Sequence, residues 1–120
     1  MPPVELDMSS VSKFKSHYDN KVSINTAYCI PHGAVRIETV GFKDTPLLGK
    51  DLQRARDLIK CSMEDGAVGL ATGMSYFPNA WSDTDELIKL CEIVAEFGGV
   101  YVTHLRDKNI DRGFGGGGVP

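Results

Sequence analysis

Cysteine is sparse: Cys29, Cys61 and Cys91 stand far apart. With an odd count and no Cys-x-x-Cys pair, neither a disulfide framework nor a zinc ribbon is indicated, and the three are expected as reduced, mostly buried thiols. Long apolar runs are missing too, since none approaches the roughly 18 residues of a membrane span. Residues 1–10 carry acids where a signal peptide would have a basic start and an apolar segment, which makes a cytoplasmic location the expectation. No charge dominates. Thirteen Lys and Arg against sixteen Asp and Glu leave a net charge of −3, which gives no footprint for nucleic acid and no polybasic segment for a membrane. At 120 residues there is enough chain for one compact domain and too little for a closed eight-fold α/β barrel, which needs about 250. Hydrophobic residues at 42% and charged residues at 24% are ordinary for a globular protein that buries a core.

Glycine is concentrated in one place, with five of the thirteen in 113–118 around Phe114. Such sequence loses too much backbone entropy to form a helix or strand. The expected organisation is therefore an α/β domain over 1–112 and a Gly-rich disordered tail over 113–120.

Periodicity supplies the rest of the plan. A weak helix is expected around 11–18. Residues 23–30 alternate as a strand, closed by a loop at Pro31 and Gly33 that carries His32. From 49 to 65, Leu52, Ala55, Leu58, Ile59 and Met63 follow helical spacing, with Gly66 at the C-terminal stop. The run at 67–72 reads as a strand buried on both faces, with room left on one of them by Gly69 and Ala71. Asp83 then caps a helix whose apolar face is Leu87, Leu90, Cys91, Val94 and Phe97, stopped by Gly98. Residues 99–105 form a last, mostly apolar strand that delivers Thr103, His104 and Arg106. Alternation of this kind implies a parallel βαβαβ segment.

In parallel α/β sheets ligands bind at the C-terminal ends of the strands. His104 falls there and could ligate a metal or transfer a proton, although a histidine without partners is more often a partly buried one bonded to backbone. His32 is placed at the same edge, and His17, between Ser16 and Tyr18, on the surface. The aromatic loop from Gly73 to Pro78 could wall a substrate site or simply cover the sheet end. Arg106, beside Asp107 and Lys108, reads on its own as an exposed charge cluster. The four glycines at 115–118 lack a following helix and Lys-Ser/Thr, so they make no phosphate loop.

Four strings, in order, resemble one family. They are Pro31-His32-Gly33-Ala34-Val35-Arg36, then Asp65-Gly66-Ala67-Val68-Gly69-Leu70-Ala71-Thr72-Gly73-Met74-Ser75-Tyr76-Phe77-Pro78, then Ser82-Asp83-Thr84-Asp85-Glu86-Leu87, and Gly99-Val100-Tyr101-Val102-Thr103-His104-Leu105-Arg106. Together they resemble the N-acyl-D-amino-acid deacylase (D-aminoacylase) branch of the amidohydrolase superfamily, over roughly 22–111. The resemblance implies part of a (β/α)8 TIM-type barrel, and a zinc-dependent hydrolysis of N-acyl-D-amino acids to a D-amino acid and a carboxylate. It implies His104 as a metal ligand and places Tyr76, Arg106 and His32 on the substrate-binding side.

The family's first metal histidines and its bridging cysteine, in a Gly-Asn-Cys-Gly context, have no counterpart before residue 22. Its later histidine and catalytic aspartate would fall beyond this sequence, and Cys29, Cys61 and Cys91 do not match the bridging position. No residue is therefore assigned a catalytic role. One ligand cannot hold a catalytic zinc, which needs about three protein ligands and an open position. The strand at 67–72 has no lysine, so the carboxylated-lysine bridge of other amidohydrolases is unsupported, in agreement with the deacylase branch. The tail replaces an expected helix, which suggests a truncation or frameshift product, or a gene fragment. The expectation is an open piece of barrel, inactive alone, with sheet edges that favour self-association. The alternatives are a non-catalytic α/β module acting through association or strand-edge binding, and an amidohydrolase for cyclic amides or ureides.

Overall fold

Three short strands pair in parallel in their chain order, β1 Cys29–Pro31, β2 Gly69–Gly73 and β3 Val100–His104. The computed structural model describes residues 10–106; the boundary expected at 112 and the tail expected at 113–120 lie outside the described residues. Helices α1 Val11–Ser16, α2 His32–Val40, α3 Gly49–Glu64 and α4 Thr84–Glu96 complete the unit, with a single 3-10 turn at Asn79–Trp81. No helix among the described residues is long and apolar enough to cross a membrane.

The two long helices form for the reasons read from the sequence. On α3, Ala55, Ile59 and Met63 are buried while Leu52 and Leu58 pack beside them. Gly66, at φ +107°, makes the left-handed turn that lets the chain leave the helix. Asp83 accepts from the Glu86 backbone N–H at 2.8 Å and caps α4. The buried face of α4 is rotated from the expected one: Glu86, Leu90, Ile93 and Val94 are inside, whereas Leu87 and Cys91 are half-buried and Phe97 is exposed.

Two further expectations change. The strand expected over 23–30 is a strand only at its end, because the chain ahead of β2 is the C-terminus of α3 and offers no extended partner. Pairing begins where the Val68 N–H donates to the Tyr28 carbonyl. The loop expected after Pro31 is instead the start of α2, so two helices rather than one cross from β1 to β2. Gly33 in its first turn packs closely against the loop, and a Cβ there would displace the Asn79 side-chain oxygen.

Successive strand residues face opposite sides of a sheet. Ile30 and Leu70 are register partners, and they join Val35, Ala55, Ile59, Leu90 and Val94 in the core between sheet and helices. Apart from the small Ala55, each such side chain contributes roughly 1.5–3 kcal/mol when fully buried. The opposite face carries Gly69, Ala71, Gly73, Val100, Val102 and His104, and Val100 and Val102 are 52% and 54% exposed. The room expected beside Gly69 is taken by β3 itself, because a Cβ there would overlap the Val100 carbonyl.

Candidate functional site

The ends of β2 and β3 are stitched together past the last ladder pair, Gly73 with His104, by a bond from the Met74 N–H to the His104 carbonyl at 2.9 Å. The loop then doubles back, with the Tyr76 N–H on the Gly73 carbonyl at 2.9 Å. A side chain at position 73 would collide with the Tyr76 ring, so glycine lets that ring lie over the strand end. The Tyr76 and His104 ring centres are 5.5 Å apart. Ser75 Oγ lies 3.2 Å from His104 Nδ1, and the same nitrogen is 3.0 Å from the Leu105 carbonyl. A carbonyl only accepts, so Nδ1 carries the proton and the Nε2 lone pair is left for a ligand. His104 is exposed and Tyr76 is 61% exposed. An imidazole in this state can take a metal or accept a proton.

Arg106, two residues further on, turns back on the loop. Its guanidinium donates to the Ala80 carbonyl at 2.7 Å and to the Ser82 carbonyl at 3.2 Å. Between those two residues stands Trp81, the single tryptophan, with ring centres 4.9 Å from Phe77 and 5.0 Å from Phe42. Thus the structure brings His104, Ser75, Tyr76 and Arg106 to one strand-end region.

It takes His32 elsewhere. His32 opens α2 with no exposed surface, and its Nε2 meets Glu86 Oε2 at 2.6 Å. The same carboxylate pairs with Arg36 and accepts from the Leu47 N–H at 3.4 Å, while Arg36 also donates to the Thr45 carbonyl at 2.5 Å. This buried cluster ties α2, the α2–α3 connection and α4 together beneath the loop. Sequence reasoning missed Arg36 and Glu86. The available signal was a charge on an apolar stripe, since Glu86 falls in helical phase with Leu90, Ile93 and Val94.

Among the described residues no group of three or more His, Cys, Asp or Glu side chains could hold a metal ion. His104 with its free Nε2 fits one position of a zinc site, and these residues do not complete the set. A groove of about 530 Å³ lined by Phe14, Tyr28, Ile30 and Val35 lies between α1, β1 and α2 and shares no residue with this region.

No protein-family model matches the chain. The open parallel sheet with its helical cover corresponds to part of a TIM-type barrel, the fold of the similar solved structures, which are D-aminoacylase-type amidohydrolases. More particularly, the chain is similar to D-aminoacylases. It is 28% identical to the D-aminoacylase of Alcaligenes xylosoxydans xylosoxydans over 89% of this chain and 24% of the relative. It is 31% identical to the N-acyl-D-aspartate deacylase of the same organism over 75% of this chain and 18% of the relative. The crystal structure of N-acyl-D-glutamate deacylase from Bordetella bronchiseptica, complexed with zinc and a phosphonate mimic of the tetrahedral intermediate, superposes with a TM-score of 0.77. That match is 26% identical and covers 83% of this chain and 21% of that one. A D-aminoacylase described as defining a novel subset of amidohydrolases gives 0.76 and 26% identity, covering 90% of this chain and 25% of that one. The chain spans about a quarter or less of the length of these relatives.

Proposed function

We propose that the chain is one arc of a zinc-dependent amidohydrolase barrel acting on N-acyl-D-amino acids, and that it is inactive by itself. His104 offers one metal ligand through Nε2, and Tyr76 borders the substrate. His32, fully buried, and Arg106, turned onto backbone carbonyls, have no substrate role in this proposal. The observation that carries it is the meeting of Ser75, Tyr76 and His104 at the ends of adjacent parallel strands, in a chain similar over most of its length to deacylases. One ligand does not complete a hydrolytic zinc site.

Zinc content of the purified 120-residue chain, with His104→Ala beside it, tests this. Less than one zinc per chain is expected, with whatever is held lost in the variant, and no release of D-amino acid from N-acyl-D-amino acids. Zinc that stays in the variant, or hydrolysis by the chain alone, would overturn the proposal.

A second reading, a non-catalytic module that self-associates, draws on β3, among the described residues an edge strand exposed along its length. Its unpaired backbone groups and its Val100 and Val102 side chains form a template for another copy. Light scattering across a dilution series should then give a mass that rises with concentration, together with concentration-dependent folding. A stable monomer at every dilution would count against it.

A further inference from the structure

We infer that Arg106 is a positioning residue that makes the end of β3 and the aromatic loop one rigid body. The inference rests on the proposal above only in taking His104 as the working side chain. The bonds form a closed circuit. Arg106 holds the Ala80 carbonyl, the Ala80 N–H donates to the Tyr76 carbonyl at 2.8 Å, and the Tyr76 ring lies over His104, the last residue of β3, two residues before Arg106 in the chain. The second arm of the guanidinium holds the Ser82 carbonyl, immediately before the Asp83 cap of α4. Planar, with several donors at fixed spacing, an arginine can grip two carbonyls at once, whereas a lysine offers one compact charge on a flexible stem. The circuit matters because, among the described residues, β3 is an edge strand with exposed side chains, and none of their elements packs on its outer side to fix where His104 sits. Both arms engaged on backbone set Arg106 apart from an arginine held free for a carboxylate ligand.

Trp81 lies between the two gripped residues and is the natural reporter. In the metal-free full chain, Arg106→Ala should shift Trp81 emission to the red and raise its acrylamide quenching constant, the direction that local opening gives. The imidazole NMR signals of His104 should move, while those of His32 and His17 stay, and the far-UV circular dichroism should be unchanged. Arg106→Lys, keeping one of the two carbonyl bonds, should give intermediate displacements of Trp81 and His104 together. Parent-like Trp81 and His104 signals in Arg106→Ala would overturn the inference, and so would movement of all three histidines alike. Should Arg106→Ala fail to fold, Arg106→Lys decides: joint partial displacement supports the role and parent-like signals overturn it. These readouts need no zinc, so a failed metal assignment for His104 leaves them standing.

Discussion

The two faces of the sheet are built on opposite terms. On the helical side, Ile30 and Leu70 sit in a closed core, and even His32, Arg36 and Glu86 are sealed within the helical layer. On the other side, among the described residues, Val100, Val102 and His104 face outward, with the Tyr76 ring and the Ser75 hydroxyl against the strand end. Stability is concentrated on the first face and the ligand-competent imidazole stands on the second. A substitution's effect should therefore depend more on the face it touches than on its size.

The largest break in that contrast is expected from Glu86→Ala. It strands a buried guanidinium beside a buried imidazole, and removal of one partner of a buried pair costs about 3–5 kcal/mol. Urea unfolding checks this, and a loss under about 1 kcal/mol would mean that water reaches the cluster. Leu70→Ala, which opens a cavity on the closed face, should cost about 3 kcal/mol by the same measurement. Loss of the α4 cap in Asp83→Ala should cost about 1 kcal/mol. Val102→Lys, on the open face, should change stability by less than about 0.5 kcal/mol while lowering any self-association seen by light scattering. The smallest effect concerns pH. Glu92 is held below the usual carboxylate range, chiefly by the hydrogen bond from Arg56 and then by that from Lys89. Its contribution is present above the unfolded carboxylate pKa and is lost as pH falls through the lowered value. Arg56→Gln should raise the Glu92 titration midpoint, followed by carboxyl NMR, and an unmoved midpoint would assign the shift to Lys89.

Thiol chemistry sharpens the comparison independently. Burial pushes the Cys91 thiol up, whereas Cys61 on α3 is exposed. A thiol reagent at mildly alkaline pH should therefore modify Cys61 before Cys91, as peptide mapping would reveal.

Elements whose local pattern and tertiary role agree were legible in the sequence. The spacing of Ala55, Ile59 and Met63, the Asp83 cap, and the glycines at 66 and 98 marked α3 and α4 closely. Helix α2 was hidden because Pro31, His32 and Gly33 imitate a loop, and because its inward stripe is His32, Val35 and Arg36, polar at two of three positions. The alternation at 23–30 overstated β1 because a strand needs a partner as well as a pattern. At the candidate site, His104 and Tyr76 could be named from the resemblance. Their contact depends on Gly73, and the grip of Arg106 on Ala80 and Ser82 spans more than twenty residues, which no local pattern encodes.

The strands lie side by side in the order in which they occur along the chain. Each can therefore dock on an edge already formed as it emerges during synthesis, without threading between older neighbours or waiting for a distant segment. Growth by accretion makes the last of the described strands the least committed of the three. In amide exchange, β3 should open first and β2, flanked on both sides, last.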